Sequence, residues 1–376
     1  MTAAHAFVTS TGAFLPGPPI DNSAIEEVLG CVEGKPSRLK TRILKSNGIQ
    51  TRHYAIDRSQ RTTHSNADMG AAAAQRCLDH SPLPVRSIGM LSCATTQGDM
   101  VVPGFGSMVQ AKLGIPAVEL LTAQGICSSS TMAIKAASNA LRLGEHRSAL
   151  VVVSELASRL LKSTRYEAAG GLAAMDFNSE FLRWMLSDGA GAWLLESAPR
   201  GRCLRVDWIR SFSHADAFPV CMGIGTPSDH GDTRTWQDFP TYSEAEAAGA
   251  LLIRQEVRLL EQMVKLGVDG ALRLIEEGVL DVRLVEHFLC HYSSHYFRGK
   301  IADLLQMCGA AIPEERWFTN LYTRGNTGAA SILIMLDEFL REGRARVGER
   351  ILCMVPESGR FNTAYMHFTV VEGNNA

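Results

Sequence analysis

Cys127 lies in Gly125-Ile126-Cys127-Ser128-Ser129-Ser130, a run of mostly small residues that leads into a helix-forming stretch, Thr131–Leu143. A thiol there feels the positive end of the helix dipole and nearby free N–H groups, and both favour the thiolate, the nucleophilic form. The same N–H groups suit an oxyanion formed when a thiolate attacks a carbonyl. The alternative reading is a buried structural cysteine, which is the reading for most of the other eight cysteines. His291 and His295 follow an apolar run in Leu289-Cys290-His291-Tyr292-Ser293-Ser294-His295, with Arg298 beyond. This is the end of a strand, where α/β sites assemble. The alternative is a structural histidine satisfied by its neighbours. A His-x-x-x-His pair on a helix can bind a metal, but this one lacks the internal glutamate of the metalloprotease pattern, and no metal site is expected. Asn326, between Gly325 and a small-residue helix start, is either a helix N-cap or a side-chain donor to a site. Gly189-x-Gly191 resembles a dinucleotide fingerprint only superficially, because the third glycine is missing.

The elements that must position these residues alternate between strand and helix. Ala6–Leu15 reads as a strand before Pro16-Gly17-Pro18-Pro19, Ala24–Leu29 as a helix, Asp68–His80 as an Ala-rich helix and Ile88–Cys93 as a buried strand. Leu120–Ala123 is a short strand, Thr131–Leu143 a helix ending at Gly144, and Ala149–Ser154 a strongly apolar strand. The mixed, Gly-containing stretch from Leu156 to Phe181 suggests an excursion over the surface. The last third repeats the middle in outline. Asn326 precedes a helix over Ile332–Leu340, then Gly343, then an apolar strand over Ile351–Val355. The spacing from Asn326 to that strand nearly equals the spacing from Cys127 to Ala149. This echo fits an α/β protein of two related halves, divided as 1–200 and 201–376.

Length and composition agree with a folded chain of that size. The 376 residues suggest two domains or one duplicated unit, and the 46 % hydrophobic residues suffice for a large core. With 37 basic and 39 acidic residues, the net charge of -2 excludes a chain built mainly to neutralise nucleic-acid phosphates. Nine cysteines, an odd number with no Cys-x-x-Cys pair, argue against a disulfide framework or zinc ribbon and for a reducing compartment. No basic region precedes an apolar run near Met1, and runs such as Ala149–Val153 are too short to span a bilayer. A soluble, cytoplasmic protein is expected.

Taken together, the segments resemble the β-ketoacyl-acyl-carrier-protein synthase III branch of the thiolase-like condensing enzymes. Gly48-Ile49-Gln50-Thr51-Arg52-His53 is similar to that family's Gly-Ile-x-x-Arg segment. Val102-Pro103 and Val109-Gln110-Ala111-Lys112-Leu113-Gly114 resemble its Phe-Pro and Gln-x-x-Leu-Gly segments. Cys127 with Val151–Glu155 resembles the nucleophile segment, and Ser187-Asp188-Gly189-Ala190-Gly191-Ala192 resembles Gly-Asp-Gly-Ala-Gly-Ala. His291 falls at the His-Gln-Ala-Asn histidine. Gly325-Asn326-Thr327-Gly328-Ala329-Ala330-Ser331 is close to Gly-Asn-Thr-Ser-Ala-Ala-Ser. Their order along nearly the whole chain carries the resemblance.

The resemblance implies a thiolase fold, two similar halves layered αβαβα, usually as a homodimer. It implies a Cys127, His291, Asn326 triad without a bound cofactor, acting on thioesters of coenzyme A or acyl carrier protein. Cys127 would take up an acyl group. His291 and Asn326 would bind the second thioester's carbonyl and stabilise its enolate, and a carbon–carbon bond would form. The backbone N–H groups of Cys127 and Gly359 would make the oxyanion hole. His295 is a further candidate site residue, and Arg52 and Arg298, with Arg38, Lys40 and Arg42, are candidates for contact with the carrier or the coenzyme. The family pattern is departed from at His291-Tyr292-Ser293-Ser294, Ser128-Ser129 and Ser358-Gly359-Arg360-Phe361. These departures fit a specialised relative from secondary metabolism, such as the dialkylresorcinol-type ketosynthases, better than fatty-acid initiation. The alternatives are a same-fold acyltransferase to a hydroxyl or amine, and a non-catalytic partner subunit.

Overall fold

Ten strands form one mixed sheet in the computed structural model, which describes residues 5–229 and 231–374. In chain order they are β1 (Phe7–Phe14), β2 (Met90–Thr95), β3 (Glu119–Gln124), β4 (Ser148–Glu155) and β5 (Gly189–Glu196), then β6 (Arg202–Ser213), β7 (His287–Cys290), β8 (Trp317–Phe318), β9 (Arg350–Glu357) and β10 (Asn362–Glu372). The order across the sheet is β8-β7-β9-β10-β6-β1-β5-β4-β2-β3. It reads the same outward from the β6–β1 junction in both directions: an inner strand, its antiparallel neighbour, then three parallel strands. The longer helices are α1 (Asn66–Asp79), α2 (Phe105–Leu113), α3 (Ser129–Leu143), α4 (Leu260–Glu276), α5 (His295–Met307) and α6 (Ser331–Arg341).

The strand alternation sets the layers. On β4, Val151 and Val153 face the cluster that holds Ile134 and Ala137 of α3 and Leu333 and Leu336 of α6. Leu150 and Val152 face the opposite cluster, with Ala73 of α1 and Val109 of α2. On β9, Ile351, Cys353 and Val355 join the α3/α6 cluster. Leu352 and Met354 face Val264 of α4 and Ile301 of α5. Helices α3 and α6 are therefore the central layer between two sheet layers, and α1/α2 and α4/α5 cover the outside, giving αβαβα.

Helix α3 buries Ala133, Ile134, Ala137, Ala140 and Leu141, a stripe at helical spacing, and stops at Gly144 in the left-handed conformation (φ 79°). The two glycines that resembled a dinucleotide fingerprint serve this packing instead. A Cβ on Gly191 would lie 2.4 Å from the Cβ of Leu333, so only glycine lets β5 meet α6 this closely. The stretch 156–181 runs over the surface in part, with Arg165, Glu167 and Asp176 exposed, but it is anchored in the interior. It forms short helices, with Leu161 and Tyr166 buried. Polar residues in and just after it face inward. Arg183 Nε donates to Leu161 O at 3.0 Å, and Trp184 Nε1 donates to Glu180 Oε2 at 3.1 Å. No helix among the described residues is long and apolar enough to cross a membrane.

Candidate active site

The functional side chains sit on three turns at strand ends. Cys127 occupies the turn between β3 and α3 and is 7 % exposed. His291 follows β7, where its N–H donates to Met354 O at 2.9 Å and prolongs the pairing with β9. Asn326 precedes α6 and is locked by the backbone. Its N–H donates to Met185 O at 3.1 Å, and its carbonyl accepts from Ser187 N at 2.8 Å. The Asn326 Oδ1 accepts from Gly328 N at 3.0 Å, the cap-like bond expected of asparagine. That leaves the Nδ2 hydrogens as donors. Asp188 braces the same region, accepting from Ser158 N at 2.8 Å and Ala55 N at 2.7 Å. Its burial raises its carboxyl to about 6.

Cys127 and Asn326 line one cavity, together with Glu155. Its walls are mainly apolar, with Leu156, Leu160, Phe181, Met185 and Phe297 among them. His291 borders an adjoining small cavity, and Ser293 lines both. Ser293 takes a left-handed conformation (φ 55°), costly for a non-glycine residue, at the point where the chain turns from strand to site. A third, more open cavity shares Phe181, Leu260 and Phe297 with the first, and Arg42 and Arg258 stand on it. The Arg42 guanidinium lies 5.6 Å from the Phe177 ring centre. The apolar cavity therefore adjoins a cation-bearing approach.

The electrostatics at Cys127 differ from the sequence expectation. Burial pushes its thiol well above the ordinary value, and the charges of Glu357 and Glu155 push it the same way. The N–H of Ser128, at the start of α3, is taken by Glu357 Oε2 at 2.8 Å. A carboxylate from β9 thus occupies the helix end that was to favour the thiolate. Burial and like charge both favour the thiol over the thiolate. Burial lowers the His291 imidazole to about 4, so it is neutral near pH 7, and its Nε2 is buried with no hydrogen-bond partner among the described residues. Burial also raises Glu155 to about 8, although Thr96 donates to it from N–H and hydroxyl at 2.9 and 2.8 Å.

The other candidates fall differently. Gly359 is buried beside Cys127's neighbour, since a Cβ on it would lie 2.9 Å from Ile126 Cδ1. His295 is not in the site. It is the exposed first residue of α5, with Nδ1 2.7 Å from the Tyr322 hydroxyl, because the turn at Ser293 sends it away from His291. Arg52 is fully buried and bonded to Asn22 Oδ1 at 2.5 Å, so it meets no carrier or coenzyme. Arg298 pairs with Glu314 at 2.6 Å and stacks on Trp317, and it lines neither the main cavity nor its approach. Lys40 pairs with Glu26 at 2.9 Å. Of the basic candidates, Arg42 alone reaches the approach. Arg258, Glu155 and Glu357 were not found from sequence. The signal for the two glutamates was their place at the close of each apolar strand, Ala149–Val153 and Ile351–Val355, and Arg258 carried none.

Comparison with known proteins bears on both halves. Residues 122–211, which include Cys127, match the family 3-oxoacyl-[acyl-carrier-protein] synthase III, and residues 276–360, which include His291 and Asn326, match its C-terminal domain. Solved structures share the fold over nearly their whole length. A 3-oxoacyl-[acyl-carrier-protein] synthase III from Aquifex aeolicus is 20 % identical, with 97 % of this chain and 99 % of that chain covered and a TM-score of 0.73. The tetronic acid condensing enzyme AbyA1 is 21 % identical over 97 % and 99 %, with a TM-score of 0.77. OleA of Xanthomonas campestris, as its E117A variant, is 18 % identical over 98 % and 99 %, also at 0.77.

Proposed function

We propose that this chain is a condensing enzyme of the 3-oxoacyl-[acyl-carrier-protein] synthase III type, in the thiolase superfamily, and a ketosynthase working through an acyl-enzyme on Cys127. The observation that carries this reading is the shared cavity. A buried thiol and the amide of Asn326 face one apolar chamber that adjoins an approach bearing Arg42 and Arg258. An acyl chain fits the apolar walls, and the phosphate-bearing arm of a coenzyme A or carrier-protein thioester fits the two cations.

In the first half-reaction the Cys127 sulfur attacks the thioester carbonyl and gives up its proton. The carrier thiolate leaves and takes a proton, and the acyl group remains on Cys127. The N–H groups of Cys127 and Gly359 would hold the oxyanion. In the second, the Asn326 amide and the neutral His291 would donate to the carbonyl of the extender thioester. They stabilise its enolate as carbon dioxide or a proton departs. The enolate carbon attacks the acyl-enzyme, and the Cys127 thiolate is expelled and reprotonated. The departures at Tyr292-Ser293-Ser294 and Ser358-Gly359-Arg360 support a specialised condensation of the polyketide or dialkylresorcinol type over fatty-acid initiation. So does likeness to a protein described as a tetronic acid condensing enzyme. We also propose a cytoplasmic homodimer. The exposed Met100-Val101-Val102 and the edge strand β3 support the dimer, and the mass in solution is the check.

Intact-protein mass spectrometry with a panel of acyl and β-ketoacyl thioesters tests the reading. Wild type should gain one acyl group and Cys127→Ala none. Asn326→Ala should load the acyl group yet fail to condense it. A wild type that gains no acyl group from any donor would sink the proposal, and transfer only to a hydroxyl or amine would replace it with an acyltransferase.

A further inference from the structure

The mirrored sheet puts one glutamate at the same place in each half, Glu155 buried and Glu357 half-buried. Strand β4 follows α3 and ends at Glu155, and strand β9 follows α6 and ends at Glu357. The Glu357 carboxyl crosses to the other half, whereas Glu155 bonds Thr96 in its own half and meets the amide of Ala329 from the other. Glu357 accepts from the N–H of Ser128 at 2.8 Å and from its hydroxyl at 2.6 Å, directly beside Cys127. Asn362 Nδ2 donates to the same hydroxyl at 2.9 Å. Glu155 accepts from Thr96 and is stabilised by the amide of Ala329. Its Cγ lies 3.2 Å from where a Cβ on Gly328 would be. Gly328 N–H is the group that holds Asn326 Oδ1. The turn of Cys127 is therefore tied to the C-terminal strand β9, and the turn of Asn326 to the N-terminal strand β4.

Packing alone does not call for this arrangement. Two carboxyls lose their hydration, and both oppose ionisation of the neighbouring thiol. Apolar residues would close the same strands without either penalty. What the carboxyls supply is hydrogen-bond acceptors fixed at two turns whose geometry the chemistry depends on.

We propose that Glu357 and Glu155 are a matched pair of positioning residues, Glu357 fixing the Cys127 turn for acyl loading and Glu155 fixing the Asn326 turn for condensation. The assignment of half-reactions rests on the function proposed above. The charged groups that act on the thiol are Glu357 and Glu155.

The experiment combines three readings on the full-length protein: iodoacetamide alkylation of Cys127 against pH, the rate of acyl loading, and single-turnover condensation from enzyme already loaded. Glu357→Gln keeps an acceptor for Ser128 but removes the charge, and should lower the pH of half-maximal alkylation by about one unit. Glu357→Ala also removes the charge but loses the hold on Ser128. It should slow acyl loading about ten-fold while condensation from loaded enzyme is retained. Glu155→Ala should do the reverse, slowing condensation from loaded enzyme about ten-fold more than it changes loading. Where an alanine variant does not fold, Ser128→Ala replaces Glu357→Ala and Thr96→Val replaces Glu155→Ala, with the same directions expected. The proposal is overturned if Glu357→Gln leaves the alkylation midpoint unmoved, if Glu357→Ala accelerates loading as loss of charge alone would, or if Glu155→Ala slows both half-reactions equally. A wild type that accepts no acyl group defeats the ketosynthase reading instead, and the alkylation series then decides whether Glu357 acts on Cys127.

Discussion

Replacing His291 with asparagine should remove a defined part of the acid sensitivity of folding. In the folded protein burial lowers the imidazole from 6.5 to about 4. The unfolded chain keeps the ordinary value, so between these two values the unfolded state binds more protons than the folded state. The stability contributed by the neutral, buried ring is present above 6.5 and is lost as pH falls through about 4. At about 1.4 kcal/mol per unit, the full loss is about 3 kcal/mol, and between pH 7.5 and pH 5 it is about 2 kcal/mol. Glu155 runs the other way. Its raised value means stability present below 4.5 and lost as pH rises through about 8. Because Glu155 stays in both proteins, its effect cancels in the comparison. The assay is urea unfolding of wild type and His291→Asn at pH 7.5 and pH 5. Wild type should lose about 2 kcal/mol more than the variant over that range. An equal loss in both would refute the reasoning, because it would mean that His291 titrates as an open histidine and is not the neutral donor that the proposed condensation calls for.

Two further outcomes follow from single contacts. Gly191→Ala should destabilise the fold by about 1–3 kcal/mol, read as a lower urea midpoint at unchanged slope, because its new Cβ meets Leu333 across the β5–α6 contact. Arg42→Glu, and separately Arg258→Glu, should raise KM for a coenzyme A thioester several-fold at low salt and leave alkylation of Cys127 unchanged, with the KM effect shrinking as salt screens the exposed charge.

What was legible in the sequence had local causes. Cys127 and Asn326 stood out because small residues before a helix start leave little to read except chemistry, and the apolar strands β4 and β9 stood out because both of their faces are buried. The echo between the two segments pointed to two related halves, and the αβαβα layering came from the family resemblance. What escaped depended on distant contacts. Arg52 looks like a surface cation in sequence, yet Asn22 and the carbonyl of Trp184 surround it in the core. His295 sits four residues from His291, but a single left-handed residue, Ser293, separates them in space. The stretch 156–181 looks polar enough for solvent because buried Arg183 and Glu180 nearby find their partners inside the protein.

The thiol at Cys127 shows most clearly why position before a helix was not enough. The dipole argument assumes that the first N–H groups of α3 are free to meet a negative sulfur. Here the Ser128 N–H bonds to Glu357, and burial and like charge both raise the thiol. A thiol held protonated in an apolar chamber reacts slowly with small electrophiles that reach it by chance. In the proposed reaction it would become a nucleophile only when a bound thioester sets its carbonyl against the N–H groups beside the sulfur and the thiol proton can leave with the departing thiolate. The geometry therefore favours a cysteine whose reactivity depends on the substrate over one that is permanently ionised. Burial is the main cause of that protonated state, and Glu357, which bonds the Ser128 N–H from the other half of the fold, adds to it.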